Sequence, residues 1–217
     1  MISDRAAAEQ ADEKSADRLT ALSDGIFAIA MTLLVLDLHI EPGLDKDEFT
    51  DAVRQALPDL GAYALSFTIL AGFWRDHRLI VRLVPRFEGV SLWFALMWLG
   101  AIALVPFPTA LLSEYAERPL TVAVYGGMVA VTNLLELAMF LTGRRAAGST
   151  PDAARGDVGR AVTADLASTA ALFAATVPVA YLVSPVAAMW CWLALVPVKL
   201  ALAHRKRATA RRHGRAG

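Results

Sequence analysis

The sequence contains few of the residues that build disulfides, metal sites or catalytic centres. Cys191 is the single cysteine among 217 residues, which excludes an intramolecular disulfide and a multi-cysteine metal site. The four histidines, His39, His77, His204 and His213, show no metal-ligand spacing. We therefore expect no metal or organic cofactor, and we expect Cys191 to be a small buried apolar side chain.

Charged residues are scarce as well. They make up 19% of the chain, whereas 56% of the residues are hydrophobic; average soluble domains contain about 25% charged residues. The sequence has no nucleotide-binding glycine pattern and no arrangement of a nucleophile with a base. We therefore expect a protein that is not an enzyme and that has no small-molecule substrate.

The two ends of the chain are polar. Residues 1–17 lack the apolar stretch of a secretory signal peptide, and we predict a polar N-terminal extension there that is disordered or loosely helical. The tail HRKRATARRHGRAG, residues 204–217, is strongly basic. Such a tail is typical of the cytoplasmic flank of a membrane span, so we expect no nucleic acid as a partner. Its charge predicts an attraction to anionic membrane lipid.

Between these ends the sequence contains six long apolar runs. A transmembrane helix needs about 20 mostly apolar residues to cross about 30 Å of hydrocarbon. The runs therefore predict an all-α integral membrane protein whose six-helix domain covers residues 18–203. The predicted spans are Leu19–Ile40, Leu57–Trp74, Val90–Leu112, Leu120–Thr142, Val162–Val183 and Pro185–Ala203.

The distribution of charge predicts the orientation of these spans. Arginines are concentrated in the loop after span two, in the loop after span four and in the C-terminal tail, whereas the segment Glu41–Arg54 is acidic. Short loops rich in Lys and Arg stay in the cytoplasm. Six spans with both termini in the cytoplasm place all three basic segments on that side.

Polar residues inside the spans leave other functions open. Glu136 lies within span four, where a charge is costly unless it is paired or faces a cavity. Pro106 and Pro108 interrupt the helix of span three. A secondary transporter would combine such features near the middle of the membrane. A proton-conducting protein and a membrane scaffold without flux remain as further alternatives.

The first span, RLTALSDGIFAIAMTLLVLDL at residues 18–38, carries an apolar stripe. On a helix with 3.6 residues per turn, Ile29, Leu33 and Leu36 share one face, which Gly25 and Ile40 extend. Thr32 lies beside this stripe. Periodicity alone favours packing against neighbouring helices over the lining of a pore, because apolar residues at helical spacing usually form a core.

Three short motifs favour the other interpretation, in which this face lines a pore. The start of this span resembles the signature Arg-x-x-x-Phe-Ser-Asp in the transmembrane protein 175 potassium channel family. FWRDH at residues 73–77 resembles the Phe-Trp-x-x-His-His of that family, and PFPTALLSEY at residues 106–115 resembles its Pro-Phe-Pro-Thr segment. The resemblance is sharpest over residues 18–115, and the last three spans agree mainly in hydropathy.

The resemblance implies a potassium channel in the cell membrane, a multi-pass protein of the bacterial inner membrane. It implies a homotetramer in which the first helix of each subunit lines a central pore, with no P-loop filter and with potassium as the permeant ion. Ile29, Leu33 and Leu36 match the apolar constriction, and Thr32 matches the polar layer linked to cation preference. Asp37 and Glu41 would then lie at the outer mouth and concentrate cations there.

The head of the first span also matches residue by residue. Arg18, Ser23 and Asp24 correspond to the signature, which implies a hydrogen-bonded network with Trp74 and His77 on span two. The sequence departs from the family at three positions. The phenylalanine of the signature is Leu22, the second histidine is Arg78, and Ala95 stands where many relatives carry asparagine.

Overall fold

The protein is described by a computed structural model, which covers residues 2–84, 87–146 and 153–192. Side chains are described at 17–36, 38–84, 87–146 and 158–192. The basic tail and the second half of the predicted sixth span lie outside the described residues.

All regular structure in the described part is helical. The helices are α1 (Ile2–Leu33), α2 (Lys46–Gln55), α3 (Leu57–Leu83), α4 (Val90–Leu104), α5 (Pro106–Glu114), α6 (Pro119–Ala146) and α7 (Ala153–Leu182), and a 3₁₀ turn (Leu34–Asp37) follows α1. Residues 185–192 are also helical.

Five described helical stretches are long and apolar enough to cross a membrane. They are Asp17–Leu36, Lys46–Leu83, Val90–Glu114, Pro119–Ala146 and Val158–Leu182. Each contains most of one predicted span, so the all-α membrane fold is confirmed to that extent. The predicted sixth span starts as a helix at residue 185, and positions 193–203 lie outside the described part.

The bounds of α1 differ from those of the first predicted span, Leu19–Ile40. The helix begins at Ile2, so the polar extension continues into the first span without a break. At the other end α1 stops at Leu33, one 3₁₀ turn follows, and Leu38 is extended. The prediction that Ile40 continues the helical stripe is therefore wrong, because the α-helical periodicity ends before it.

The acidic segment after α1 forms a helix that the span analysis did not predict. The Asp45 carboxylate accepts hydrogen bonds from the backbone of Asp47 and Glu48, both at 2.9 Å, and the backbone of Asp45 donates to Glu48 Oε2 at 3.0 Å. This reciprocal capping satisfies the free amides of the first turn. None of the residues of α2 is buried, so this helix lies on the surface of the subunit.

The prolines act differently in two spans. Span three is divided between α4 and α5 at Val105, and Pro106 occupies the first position of α5, where its missing amide costs nothing. Pro178, by contrast, lies inside a continuous α7. A proline inside a membrane helix is tolerated where the freed carbonyl finds another partner.

One aromatic cluster joins α1, α3 and α4. Trp98 of α4 is completely buried. Its ring centroid lies 5.5 Å from that of Phe27, 6.5 Å from that of Phe73 and 4.6 Å from that of His77. Because these partners come from α1 and α3, this cluster fixes which face of each helix points into the subunit.

A second cluster joins α6, α7 and the last described helix. The Trp192 ring packs against Tyr125 and Phe173, and its Nε1 donates to Thr176 Oγ1 at 2.9 Å. The neighbouring Cys191 is exposed. The expectation of a buried cysteine is therefore wrong, because Trp192 occupies the face of this helix that packs inward.

Candidate functional site

The first span has two distinct faces within one subunit. Leu19, Ser23, Phe27, Ala30 and Leu34 are buried, and their spacing of three or four residues places them on one side of the helix. This side packs against α3 and α4. The opposite side is exposed and has no partner among the described residues of the chain.

The three predicted constriction residues all lie on the unpartnered side. Ile29 is 61% exposed, Leu33 is 40% exposed and Leu36 is 71% exposed. Leu36 lies in the 3₁₀ turn, three residues after Leu33. Since residues three apart eclipse in such a turn, Leu36 remains above Leu33 although the α-helix has ended.

Thr32 is exposed beside this stripe. Its hydroxyl donates to the carbonyl of Ile29 at 2.9 Å. Because a hydroxyl has one hydrogen and two acceptor lone pairs, the donated bond turns the lone pairs of Thr32 Oγ1 away from its own helix. The side chain can therefore offer an oxygen ligand to a cation next to the stripe.

Below the stripe, Ser23 and His77 connect the first span to α3 inside the subunit. Ser23 Oγ donates to the Leu19 carbonyl at 2.7 Å and lies 3.0 Å from His77 Nε2. The serine hydrogen is used by Leu19, so the His77 bond requires Nε2–H to be the donor. Both side chains are buried, at 0% and 1% exposure.

Asp24 makes a second connection at the edge of the subunit. Trp74 Nε1 donates to Asp24 Oδ1 at 2.8 Å, and the guanidinium of Arg78 stacks over the Trp74 ring at 4.9 Å. The structure thus brings together four of the five residues of the expected network. Arg18 is exposed and takes no part in the hydrogen bonds described between side chains of 17–84.

The residues expected at the outer mouth are only partly described. Asp37 ends the 3₁₀ turn, and its side chain lies outside the described set. Glu41 is exposed in the loop that precedes α2. This loop and α2 carry the acidic residues that separate the first two spans.

The departures from the family motif occupy different environments. Leu22 is 47% exposed and lies seven positions before Ile29, on the same side of α1. Arg78 is exposed and stacks on Trp74, so the second position of the histidine pair faces outward here. Ala95 is completely buried in α4.

The features that suggested a transporter lie in the interior of the subunit. At the helix break, the amide and the hydroxyl of Thr109 both donate to the Val105 carbonyl, at 3.2 and 2.9 Å. Glu136 is completely buried in α6, one turn after Asn133, whose side chain donates to the Val129 carbonyl at 2.9 Å.

The residues that hold these elements together were not predicted from the sequence. Trp98 gave no local signal, because a tryptophan within an apolar span does not reveal its partners. Ser66, Thr109 and Tyr125 form a buried hydroxyl chain with oxygen–oxygen distances of 2.8 and 2.9 Å. These three residues come from α3, α5 and α6, so no spacing in the sequence connects them.

Comparison with known proteins identifies a related family. Residues 18–106 match the family model described as endosomal/lysosomal potassium channel TMEM175. The chain is 35% identical to a potassium channel of Streptomyces collinus over 46% of this chain and 49% of that one. It is 32% identical to a potassium channel of Chamaesiphon minutus over 55% of this chain and 62% of that one. The alignments thus span about half to three-fifths of these relatives.

A more distant relative carries a different name. The human protein named endosomal/lysosomal proton channel TMEM175 is 30% identical over 59% of this chain and 28% of its own length. Its match is confined to a small part of a longer protein.

The solved structures contain a protein of the same fold. The crystal structure of a lysosomal potassium-selective channel TMEM175 homolog from Chamaesiphon minutus superposes with a TM-score of 0.74. The superposition covers 88% of this chain and 98% of that one, at 25% identity. The motif resemblance is therefore confirmed: the chain is a membrane protein whose residues 18–106 match the TMEM175 family model and whose fold is that of a TMEM175 homolog.

Proposed function

We propose that this protein is one subunit of a potassium-permeable cation channel that has no P-loop, and that four copies of α1 surround its pore. The observation that carries the proposal is the exposed apolar stripe of Ile29, Leu33 and Leu36, which lies opposite a face fixed by buried contacts. The relatives named as potassium channels support the choice of ion.

The stripe suits a hydrophobic gate. A narrow apolar ring offers no ligands to a dehydrated cation and can lose its water, which blocks conduction. In a tetramer, Ile29, Leu33 and Leu36 would each contribute four side chains to such a ring. Opening would widen the rings until a partly hydrated potassium ion can pass.

Selectivity and ion supply would come from polar residues next to the rings. Four Thr32 hydroxyls would provide weak oxygen ligands, which gives a modest preference for potassium over sodium. Carboxylates at Asp37 and Glu41, and at Asp24 on the opposite side, would raise the local concentration of cations.

The contacts at the head of α1 would hold the pore face in position. A rotation of α1 by about 100° is equivalent to a shift of one residue and would remove Leu33 from the pore. The bonds from Ser23 to His77 and from Asp24 to Trp74 oppose such a rotation. These residues therefore act as positioning residues for the constriction.

Two other functions use different residues. A proton-conducting protein is supported by the vertebrate relatives that are named as proton channels. A secondary transporter would use the buried Glu136 and the broken third span. A transporter saturates with substrate and loses activity on Glu136→Gln, whereas a pore through α1 retains ohmic potassium current in that variant.

The test is potassium flux from proteoliposomes with sodium as the competitor. Leu33→Asn hydrates the proposed seal, so we expect a leak that is larger than that of the wild type. Leu134→Asn makes the same chemical change at a leucine of α6 that is 52% exposed, and we expect it to leave flux unchanged. Equal flux in all three proteins would contradict the assignment of the pore face.

A further inference from the structure

A groove lies where α3 emerges from its apolar stretch. It encloses a cavity of about 380 Å³ lined by Trp74, Arg75, Asp76, Arg78, Leu79 and Arg82. Three guanidinium groups and one carboxylate therefore face one space. The groove lies outside the proposed pore and shares only Trp74 with the contacts that position α1.

Two of these arginines form no ion pair with a carboxylate among the described side chains. Arg75 donates to Asp76 Oδ1 from Nε at 2.9 Å and from Nη2 at 2.8 Å. Arg78 stacks on Trp74. Among the residues whose side chains are described, neither Arg78 nor Arg82 forms an ion pair. The groove therefore has an excess of positive charge that suits an anion.

The position of the groove along α3 indicates where this anion comes from. Leu57–Trp74, the apolar part of α3, has a length of about 27 Å at 1.5 Å per residue, which is close to the thickness of the hydrocarbon layer. Arg75 to Arg82 follow directly, at the depth of the lipid headgroups. Planar guanidinium groups bind phosphate oxygens in pairs.

The same face of α3 also suits an acyl chain. Leu60 and Phe67 precede Arg78 by 18 and 11 positions, which are five and three turns of a helix. These two side chains are 49% and 40% exposed, and Leu79 beside the arginines is 40% exposed. An apolar track thus leads along the helix to the basic groove.

We propose that this groove binds the phosphate of an anionic membrane lipid and that the bound lipid stabilises the pore helix. A phosphate held by Arg78 and Arg82 would keep the Arg78 guanidinium on the Trp74 ring. The indole would then stay oriented to donate to Asp24 of α1. The binding step stands by itself, and the effect on the pore rests on the proposed channel function.

The binding step is tested by native mass spectrometry of the purified protein from vesicles of phosphatidylglycerol and phosphatidylcholine. We expect preferential retention of phosphatidylglycerol, and a loss of roughly five-fold for each of Arg78→Gln and Arg82→Gln, the effect of one basic residue at a membrane surface. Arg54→Gln is the matched control, since Arg54 is exposed and pairs with Asp51 at 3.2 Å on α2.

Three results would overturn the proposal. Equal retention in Arg78→Gln, Arg82→Gln and Arg54→Gln would remove the groove as the site. Displacement of phosphatidylglycerol by millimolar inorganic phosphate would identify a soluble anion as the ligand. Loss of the native oligomer in Arg78→Gln with unchanged lipid retention would assign the groove to a contact between copies of this chain.

The effect on the pore is tested with Trp74→Phe, which removes the indole donor but keeps an aromatic ring for Arg78. For the phosphatidylglycerol that this variant retains, we expect at least a two-fold loss of the flux that the lipid supports in the wild type. Unchanged lipid dependence of flux in Trp74→Phe would contradict the coupling. Absence of flux in every protein, with lipid retained, would reject the channel function and leave the lipid site standing.

Discussion

Ser23 on α1 and His77 on α3 are 54 positions apart in the chain, and their side chains meet inside the subunit with a Ser23 Oγ to His77 Nε2 distance of 3.0 Å. Because His77 also stacks on Trp98 of α4, a single imidazole contacts the first three spans. The side of α1 that carries Ser23 is thereby directed inward, and the apolar stripe is directed outward.

Removing the serine hydroxyl should weaken the subunit. Ser23→Ala leaves the buried Nε2–H of His77 without an acceptor, and we expect a loss of about 1–3 kcal/mol in the free energy of unfolding. Thermal unfolding of the purified protein in detergent measures this loss of stability as a lower midpoint temperature. Ser168→Ala is the control, because its exposed hydroxyl only donates to the Asp165 carbonyl. An equal midpoint in both variants would show that the Ser23 hydroxyl is not one of the contacts that position α1.

The hydroxyl of Thr32 should determine the preference for potassium. Thr32→Val keeps the shape of the side chain but removes the oxygen ligand, so we expect the potassium-to-sodium permeability ratio to fall toward one. Thr32→Ser retains the oxygen and should retain most of the preference. Reversal potentials in planar bilayers with opposed potassium and sodium gradients measure this ratio. An unchanged ratio in Thr32→Val would place selectivity elsewhere.

The carboxylate of Glu41 should increase single-channel conductance by attracting cations through long-range electrostatics. Glu41→Gln should lower single-channel conductance at about 10 mM salt, where the Debye length is about 30 Å, and have little effect at about 1 M, where it is about 3 Å. Conductance recorded across this range of salt concentrations shows whether Glu41→Gln lowers conductance and whether that effect disappears at high salt. A loss of the same size at both salt concentrations would indicate a structural role for Glu41.

Substitution by alanine should have different effects on stability at two adjacent glycines of α6. A Cβ on Gly126 would lie 3.2 Å from the Trp192 ring and 3.3 Å from both the Phe173 carbonyl and Thr176 Oγ1, whereas a Cβ on Gly127 meets nothing within 4 Å. We expect Gly126→Ala to destabilise the protein by about 1–3 kcal/mol. Gly127→Ala should be neutral or stabilising, because alanine restricts the unfolded chain.

Thermal unfolding of these two variants in detergent compares them directly. Equal midpoints would show that α6 and α7 do not depend on the close approach at Gly126. The two positions are neighbours on one helix and carry the same substitution, so a difference between them reports the close packing of α6 against α7 and Trp192 at Gly126.

The sequence by itself determined the membrane class and the approximate positions of five spans. Apolar runs of about 20 residues have few alternatives, because a helix is the structure that satisfies its own backbone in lipid. The family was also readable, since Ser23, Asp24, Trp74 and His77 occur within short motifs in the right order. The stripe of Ile29, Leu33 and Leu36 followed from helical periodicity alone.

What only the tertiary structure decided is which side of each helix has a partner. Periodicity placed Ile29 and Leu33 on one face, but it favoured burial of that face, and in the single subunit they are 61% and 40% exposed. The end of α1 at Leu33 was hidden as well, because the apolar run continues past it. These outcomes depend on contacts such as those of Trp98 with Phe27 and His77, which join residues far apart in the chain and leave no pattern within one span.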